Sequence, residues 1–189
     1  MIESSLITKG KFNDAFDYEN TEDLLIASME QSHSDVYLEV DIPGTYKADA
    51  IITTKKRLLL VVKTADCMPV LVSDDEYIGV VHIGWKGLEN GIFYKAISNF
   101  NLSKLKVSIG PFAQKCCYEV QEDIESKFNQ YCSSKGNKIY LDLSKEINDF
   151  CEDNKIEIEV SEICTIENKK YNSYRRDKTE KRQWSTLWM

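Results

Sequence analysis

Residues 63–91 read KTADCMPVLVSDDEYIGVVHIGWKGLENG, and this stretch combines predicted strands with reactive side chains. The runs 70–72 and 78–83 are short, apolar and rich in β-branched residues, which is typical of buried strands. Cys67 lies between two apolar runs, and His82 lies at the edge of a predicted strand. The stretch therefore predicts the centre of a sheet with two reactive side chains at strand edges.

Apolar runs on the N-terminal side extend this sheet. Residues 50–53 and 58–62 have the same apolar, β-branched character. In residues 34–40, apolar and more polar side chains alternate, which is the pattern of a strand buried on one face. His33 comes directly before this strand. Further strands are predicted at residues 105–109, 156–160 and 186–189.

Helices are predicted where apolar residues recur every three or four positions. The first covers residues 20–30, with a helix start at Asn20 and Asp23. The others are marked by Ile92, Ala96, Ile97 and Phe100, by Ile124 and Phe128, and by Leu143, Ile147, Phe150 and Cys151 with Asp142 as the N-cap.

The composition is that of an ordinary globular chain. Its 189 residues suit a single domain spanning 1–189, with 42% apolar and 29% charged residues. No segment approaches the roughly 20 apolar residues that span a bilayer. The first ten residues do not read as a secretory signal, so we expect a cytoplasmic protein.

Charge and cysteine content narrow the range of partners. The net charge of −7 argues against a broad surface for nucleic acid or for an anionic membrane. Small anionic substrates remain compatible with it, provided that positive charge is concentrated locally. The six cysteines have no regular spacing, and we expect reduced thiols rather than disulfides.

The chain has only two histidines, His33 and His82. Together with Cys67 they offer two imidazoles and a thiolate, a set that suits zinc and leaves a fourth position for water or substrate. The spacings of 34 and 15 residues match no short local zinc motif. Taken singly, each of the three residues is more readily interpreted as a structural side chain than as a ligand.

A resemblance to a known family strengthens the zinc interpretation. Residues 63–91 closely resemble a pattern in which TADC-x-PV precedes a strand and H-x-GW-[RK]-G precedes a helix. Four further segments resemble the same family in the same order: ADAIIT at 48–53, IGP at 109–111, CCYEV at 116–120 and SYRRD at 173–177. The chain is thus identified as a member of the small zinc-dependent purine nucleoside phosphorylases, once described as multicopper polyphenol oxidases or peptidoglycan editing factors.

This resemblance implies both a fold and a set of metal ligands. The implied fold class is α+β, with mixed β-sheets packed together, flanking helices and a core like that of the necrotizing-factor-toxin cysteine hydrolases. The implied zinc ligands are His33, Cys67 and His82, although the family's NQVHG segment reads EQSHS here. They would also be the catalytic residues.

The resemblance further implies an activity. Relatives of this kind phosphorolyse adenosine, inosine, guanosine and methylthioadenosine, and deaminate adenosine, so the expected partners are a nucleoside and phosphate. Arg175 and Arg176 are candidates for binding the phosphate, because a guanidinium fork matches its oxygens. Asp66 is a candidate substrate-site residue that either caps a turn or orients an imidazole.

Two alternatives remain open. Cys67 and His82 resemble the nucleophile and base of a cysteine amidase or deamidase, including one that edits cell-wall precursors. The chain could instead be a non-catalytic metal-binding module. His33 separates the readings, because zinc binding needs it and a cysteine nucleophile does not.

Overall fold

Two six-stranded sheets carry most of the regular structure in the computed structural model, which describes residues 2–14 and 25–189. The first sheet contains, in spatial order, β1 (Ile2–Glu3), β2 (Lys11–Asp14), β15 (Gln183–Leu187), β7 (Leu58–Thr64), β3 (Leu25–Met29) and β5 (Gly44–Tyr46). Strand β3 runs parallel to β5 and β7, and the remaining neighbours are antiparallel.

The second sheet is also mixed. It contains, in spatial order, β14 (Glu157–Val160), β10 (Lys106–Ile109), β8 (Met68–Ser73), β9 (Ile78–Ile83), β6 (Ala50–Thr53) and β4 (Tyr37–Glu39). The two outer pairs, β10 with β14 and β4 with β6, are parallel, whereas the central strands pair antiparallel.

Alternation along the strands of the second sheet creates two cores. Leu71 and Val80 face the first sheet and pack with Leu60 of β7. Val70 and Val72 point the other way and join the core beneath the helices. Because successive side chains of a strand point to opposite faces, the second sheet is buried on both sides.

Short helices cover the outer face of the second sheet. They are α1 (Trp85–Glu89), α2 (Ile92–Ala96), α3 (Glu122–Phe128) and α4 (Lys145–Asp153). A small sheet of β11 (Glu119–Val120), β13 (Lys138–Leu141) and β12 (Cys132–Lys135), a 3₁₀ turn at Asn129–Tyr131 and a last helix α5 (Tyr174–Asp177) complete the described structure. The predicted α+β class with mixed sheets is confirmed. No helix among the described residues is long and apolar enough to cross a membrane.

The helix predicted over residues 20–30 is wrong where the structure describes it. Leu25–Met29 forms β3, while residues 20–24 lie outside the described residues. Ala27 and Met29 are buried, whereas Ile26 and Ser28 are only partly buried, which is a period of two. Pairing with β5 and β7 decides the conformation, because a short apolar cluster fits a helix and a strand equally well.

The predicted N-cap at Asp142 is also wrong. Helix α4 begins at Lys145, with Ser144 as its N-cap residue. Asp142 is still held at the end of β13, because its backbone N–H donates to the carbonyl of Tyr131 at 2.9 Å. Its carboxylate instead accepts a hydrogen bond from the Ser144 hydroxyl at 3.0 Å.

Candidate metal centre

His33, Cys67 and His82 meet where the chain passes from the first sheet to the second. His33 follows β3, Cys67 lies between β7 and β8, and His82 belongs to β9. The Sγ atom of Cys67 is 3.5 Å from Nε2 of His33, and one ligand atom from each of the three residues lies within 4.8 Å of the others. The structure thus brings together three side chains that are far apart in the sequence.

The loop that carries His33 is held by the carboxylate of Asp49. Backbone N–H groups of Ser32, His33 and Ser34 donate to it at 3.2, 3.0 and 2.7 Å, and the Ser34 hydroxyl donates at 2.6 Å. His33 has a φ of 60°, a left-handed conformation that is unfavourable for a non-glycine residue. The hydrogen bonds to Asp49 compensate for this conformation and fix the position of the ring.

Asp49 also orients the second imidazole. Its Oδ1 atom is 2.7 Å from Nδ1 of His82, and both side chains are buried. This contact leaves Nε2 of His82 for the centre. The sequence patterns do not single out Asp49, which is one residue of the ADAIIT segment. The signal was a single acid in an otherwise apolar run.

The three groups perturb one another's protonation. Burial disfavours the thiolate of Cys67, but the charge of His82 and hydrogen bonds from His33 and His82 lower the pKa of the thiol to about 6. Burial also disfavours the charged form of His82, but Cys67 and Asp49 raise its pKa to about 9. The metal-free centre therefore holds a thiolate beside an imidazolium at neutral pH.

Gly84 leaves room for His33 and Cys67 to lie close together. A Cβ atom at this position would lie 2.9 Å from Cδ2 of His33 and 3.2 Å from Sγ of Cys67. The first distance is shorter than side chains tolerate. The glycine of the HIGW segment is thus required by close packing against the centre.

A cavity of about 320 Å³ opens beside the three residues. Lys63, Arg175 and Arg182 contribute positive charge to its wall, and Tyr118 and Tyr174 contribute aromatic surface. The Nζ atom of Lys63 lies 4.4 Å from the centroid of the Trp184 ring. Such a wall suits an anionic group next to a flat ring.

Asp66 lines this cavity, but its carboxylate is occupied by protein donors. Oδ1 accepts a hydrogen bond from the Thr165 hydroxyl at 2.8 Å, and Oδ2 accepts one from the backbone N–H of Arg175 at 2.7 Å. Asp66 therefore fixes the start of α5 against the centre. The imidazole-orienting position considered for Asp66 is taken by Asp49.

The two neighbouring arginines have different surroundings. The guanidinium of Arg175 lies 4.8 Å from the ring centroid of Tyr118, donates from Nη1 to the carbonyl of Glu119 and lines the cavity. Arg176 points away and donates to the carbonyls of Thr165 at 2.6 Å and Tyr171 at 2.8 Å. The structure therefore brings Arg175, and not Arg176, to the cavity.

Comparisons with known proteins agree with one another. The family described as multi-copper polyphenol oxidoreductase laccase matches residues 11–189. A purine nucleoside phosphorylase of Aquifex aeolicus is 34% identical over 164 residues, covering 83% of this chain and 79% of that protein. One of Clostridium acetobutylicum is 36% identical over 177 residues, covering 85% and 74%. A crystal structure of a Neisseria meningitidis protein described as DUF152 matches with a TM-score of 0.80 and 26% identity, covering 88% of this chain and 75% of that chain.

Proposed function

This chain belongs to the multi-copper polyphenol oxidoreductase laccase family, and on that basis we propose that it is a zinc-dependent purine nucleoside phosphorylase. One observation carries the proposal: His33, Cys67 and His82 converge beside a cavity that carries positive charge and aromatic surface. The convergence suits a metal, and the cavity suits a phosphate and a purine. The names of the relatives supply the substrate class.

The three side chains fit a zinc ion. Ligand atoms at zinc bond lengths of about 2.0–2.3 Å in a tetrahedron lie roughly 3.5 Å apart, which agrees with the 3.5 Å between Cys67 and His33. Asp49 fixes the ring orientation of His82, as carboxylates beside zinc-bound imidazoles do. Bound zinc supplies a Lewis acid for an oxygen of phosphate or water. With two histidines in the whole chain, the ligands for a conventional multicopper cluster are lacking.

We assign the phosphate to Arg175. Asp66 holds its backbone, and stacking on Tyr118 positions its guanidinium. A guanidinium binds phosphate oxygens through charge-assisted hydrogen bonds, and Lys63 and Arg182 add to the positive field of the cavity. The exposed ring of Tyr174 is the surface on which we place the purine.

Product analysis tests the proposal. Zinc-loaded protein is incubated with adenosine, inosine, guanosine or methylthioadenosine, with and without inorganic phosphate. We expect the free base and a 1-phosphorylated sugar to form only with phosphate, together with slower conversion of adenosine to inosine. Base release that is independent of phosphate would contradict phosphorolysis, and no turnover of any of the four would contradict the substrate class.

Substituting the two arginines separately tests the phosphate assignment. We expect Arg175→Ala to raise the KM for phosphate roughly tenfold or more, because it loses charge-assisted hydrogen bonds. Arg176→Ala is the matched control. It should leave that KM unchanged but lower the melting temperature by about 5 °C, because it leaves buried carbonyls without donors. Equal KM values in both variants would refute the role of Arg175.

Zinc affinity should depend on pH in a defined way. Because the pKa of His82 is raised to about 9, zinc displaces a proton from it at neutral pH. The affinity should therefore fall by about tenfold per pH unit from 9 to 6, and more steeply below 6, where the Cys67 thiol also protonates. Competition with a chelator of known affinity measures this slope. A constant affinity between pH 6 and 9 would contradict the ligand set.

A second candidate function follows from the state of Cys67. A thiol with a pKa of about 6, beside a histidine that is oriented by a carboxylate, is also the arrangement of a cysteine amidase. In that reaction Cys67 attacks an amide carbon, the amine leaves with a proton from His82, and water then hydrolyses the thioester. Under this second candidate function, the core would be like that of the necrotizing-factor toxins, and the substrates would be cell-wall precursors. His33→Ala should spare amide hydrolysis but abolish phosphorolysis.

A further inference from the structure

A second group of potential ligands lies outside the centre described above. The Sγ atoms of Cys116, Cys117 and Cys164 and a carboxylate oxygen of Glu167 all lie within 4.8 Å of one another. Half of the chain's six cysteines are therefore in one place, although Cys117 and Cys164 are far apart in the sequence. We call these four residues the cysteine cluster.

Two backbone segments hold the cysteine cluster together. Phe112 and Cys164 form a parallel bridge, and the N–H of Thr165 donates to the carbonyl of Phe112 at 3.0 Å. Across the same junction, the side chain of Gln114 donates to the carbonyl of Ser161 at 2.8 Å. The segments are thus fixed relative to each other by contacts that do not involve the thiols.

Local turns then place the remaining ligands. The N–H of Cys117 donates to the carbonyl of Gln114 at 2.9 Å, which turns the two adjacent cysteines towards Cys164. The N–H of Asn168 donates to the carbonyl of Cys164 at 2.9 Å, which brings Glu167 back beside it. Cys164 is buried, whereas Cys116 and Glu167 are exposed, so an ion can reach the cluster from solvent.

We propose that the cysteine cluster is a second zinc site of the Cys₃Glu type. Zinc binds thiolates and carboxylates in closed tetrahedral sites that stabilise folded structure. The Sγ atoms of Cys116 and Cys117 are 3.2 Å apart, about 0.5 Å closer than two thiolates on one zinc ion. Both residues lie outside helices and strands, so a small rotation of their side chains supplies the difference.

The site would brace one wall of the cavity. Tyr118, which lines the cavity, directly follows Cys117, and Thr165, which donates to Asp66, directly follows Cys164. The guanidinium of Arg176 donates to the carbonyl of Thr165 and interacts electrostatically with Cys164. A zinc ion that joins the two segments therefore holds both Tyr118 and Asp66 in position.

Metal stoichiometry tests the second site without reference to nucleosides. Fully reduced, full-length protein is loaded with zinc, desalted and examined by native mass spectrometry. We expect two zinc ions in the unaltered protein and one in Cys116→Ser, Cys164→Ser or Cys67→Ala. Cys132→Ser is the matched control, because Cys132 lies in β12 outside both groups, and it should retain two.

Cobalt provides a second readout. The cysteine cluster offers three thiolates and the first centre offers one, so the thiolate-to-cobalt absorption should fall about fourfold when Cys116→Ser disables the cluster, and only by about a quarter in Cys67→Ala. The proposal would be overturned if the unaltered protein bound a single zinc ion and Cys116→Ser still bound it. The proposal would also be overturned if the cluster formed a disulfide and bound no zinc after that disulfide was reduced.

Discussion

Cys67→Ala is expected to weaken zinc binding at the His33, Cys67 and His82 centre by about a thousandfold, because it removes one of three protein ligands. Phosphorolysis should fall below detection, while the fold persists, because the substitution removes only a small side chain from a preformed site. His33→Ala and His82→Ala should have similar effects on the metal. Chelator competition measures the affinity, and kcat/KM measures the activity.

A cysteine outside the centre controls for this experiment. Cys132→Ala should change neither zinc affinity at the centre nor kcat/KM, because Cys132 belongs to the small sheet. The informative comparison is between Cys67→Ala and His33→Ala. If His33→Ala retained full activity while Cys67→Ala lost it, Cys67 would be acting as a nucleophile rather than as a ligand.

Among substitutions that leave the three ligands intact, Asp49→Asn is expected to lower the stability of the protein and its zinc affinity the most. The buried carboxylate accepts five hydrogen bonds, four from residues 32–34 and one from Nδ1 of His82. An amide of the same shape turns one acceptor into a donor that faces other donors. We expect the free energy of unfolding to fall by about 3–5 kcal/mol, as when a buried ion pair loses one partner.

The metal should respond to the same substitution. Zinc affinity should fall by roughly 10–100-fold, because both histidine rings lose their orientation. Denaturant unfolding of the metal-free protein separates the loss of stability from the loss of zinc. Asp41→Asn, at an exposed carboxylate 3.6 Å from Lys55, is the control and should alter neither quantity. An unchanged zinc affinity in Asp49→Asn would show that Asp49 does not position the ligands.

Gly84→Ala tests by steric displacement whether the positions of the ligands determine zinc affinity. The added methyl group would lie 2.9 Å from Cδ2 of His33 and 3.2 Å from Sγ of Cys67. We expect zinc affinity to fall by roughly tenfold or more, because the ligands are displaced from tetrahedral positions. Gly44→Ala is the control, since the nearest atom to its added Cβ lies 3.7 Å away. Equal zinc affinity in both variants would contradict the packing at Gly84.

The central strands β6, β8 and β9 of the second sheet could be predicted from the sequence because burial on both faces leaves nearly continuous apolar runs. Strand β3 could not, because its identity depends on pairing with β5 and β7 rather than on its own pattern. Strand β12 is not predictable either, since it is largely exposed and polar. Local sequence carries little information where the deciding contacts are distant.

The residues of the candidate site could likewise be predicted from the sequence only in part. The set of His33, Cys67 and His82 could be predicted from the family resemblance, although their spacing alone left the metal open. Asp49 was missed because nothing in a lone buried acid reveals which donors surround it. Arg175 and Arg176 look equivalent in the sequence, and only the packing of the C-terminal segment directs the first to the cavity and the second away from it.

Anomalous diffraction at the zinc absorption edge tests the metal centre most directly. Crystals of the reduced protein grown with zinc should show an anomalous peak within about 2.0–2.3 Å of Nε2 of His33, Nε2 of His82 and Sγ of Cys67. The peak should vanish in crystals of Cys67→Ala. Zinc at the cysteine cluster alone, or no anomalous peak between the two imidazoles and the thiol of Cys67, would contradict a zinc-dependent enzyme built on these three residues.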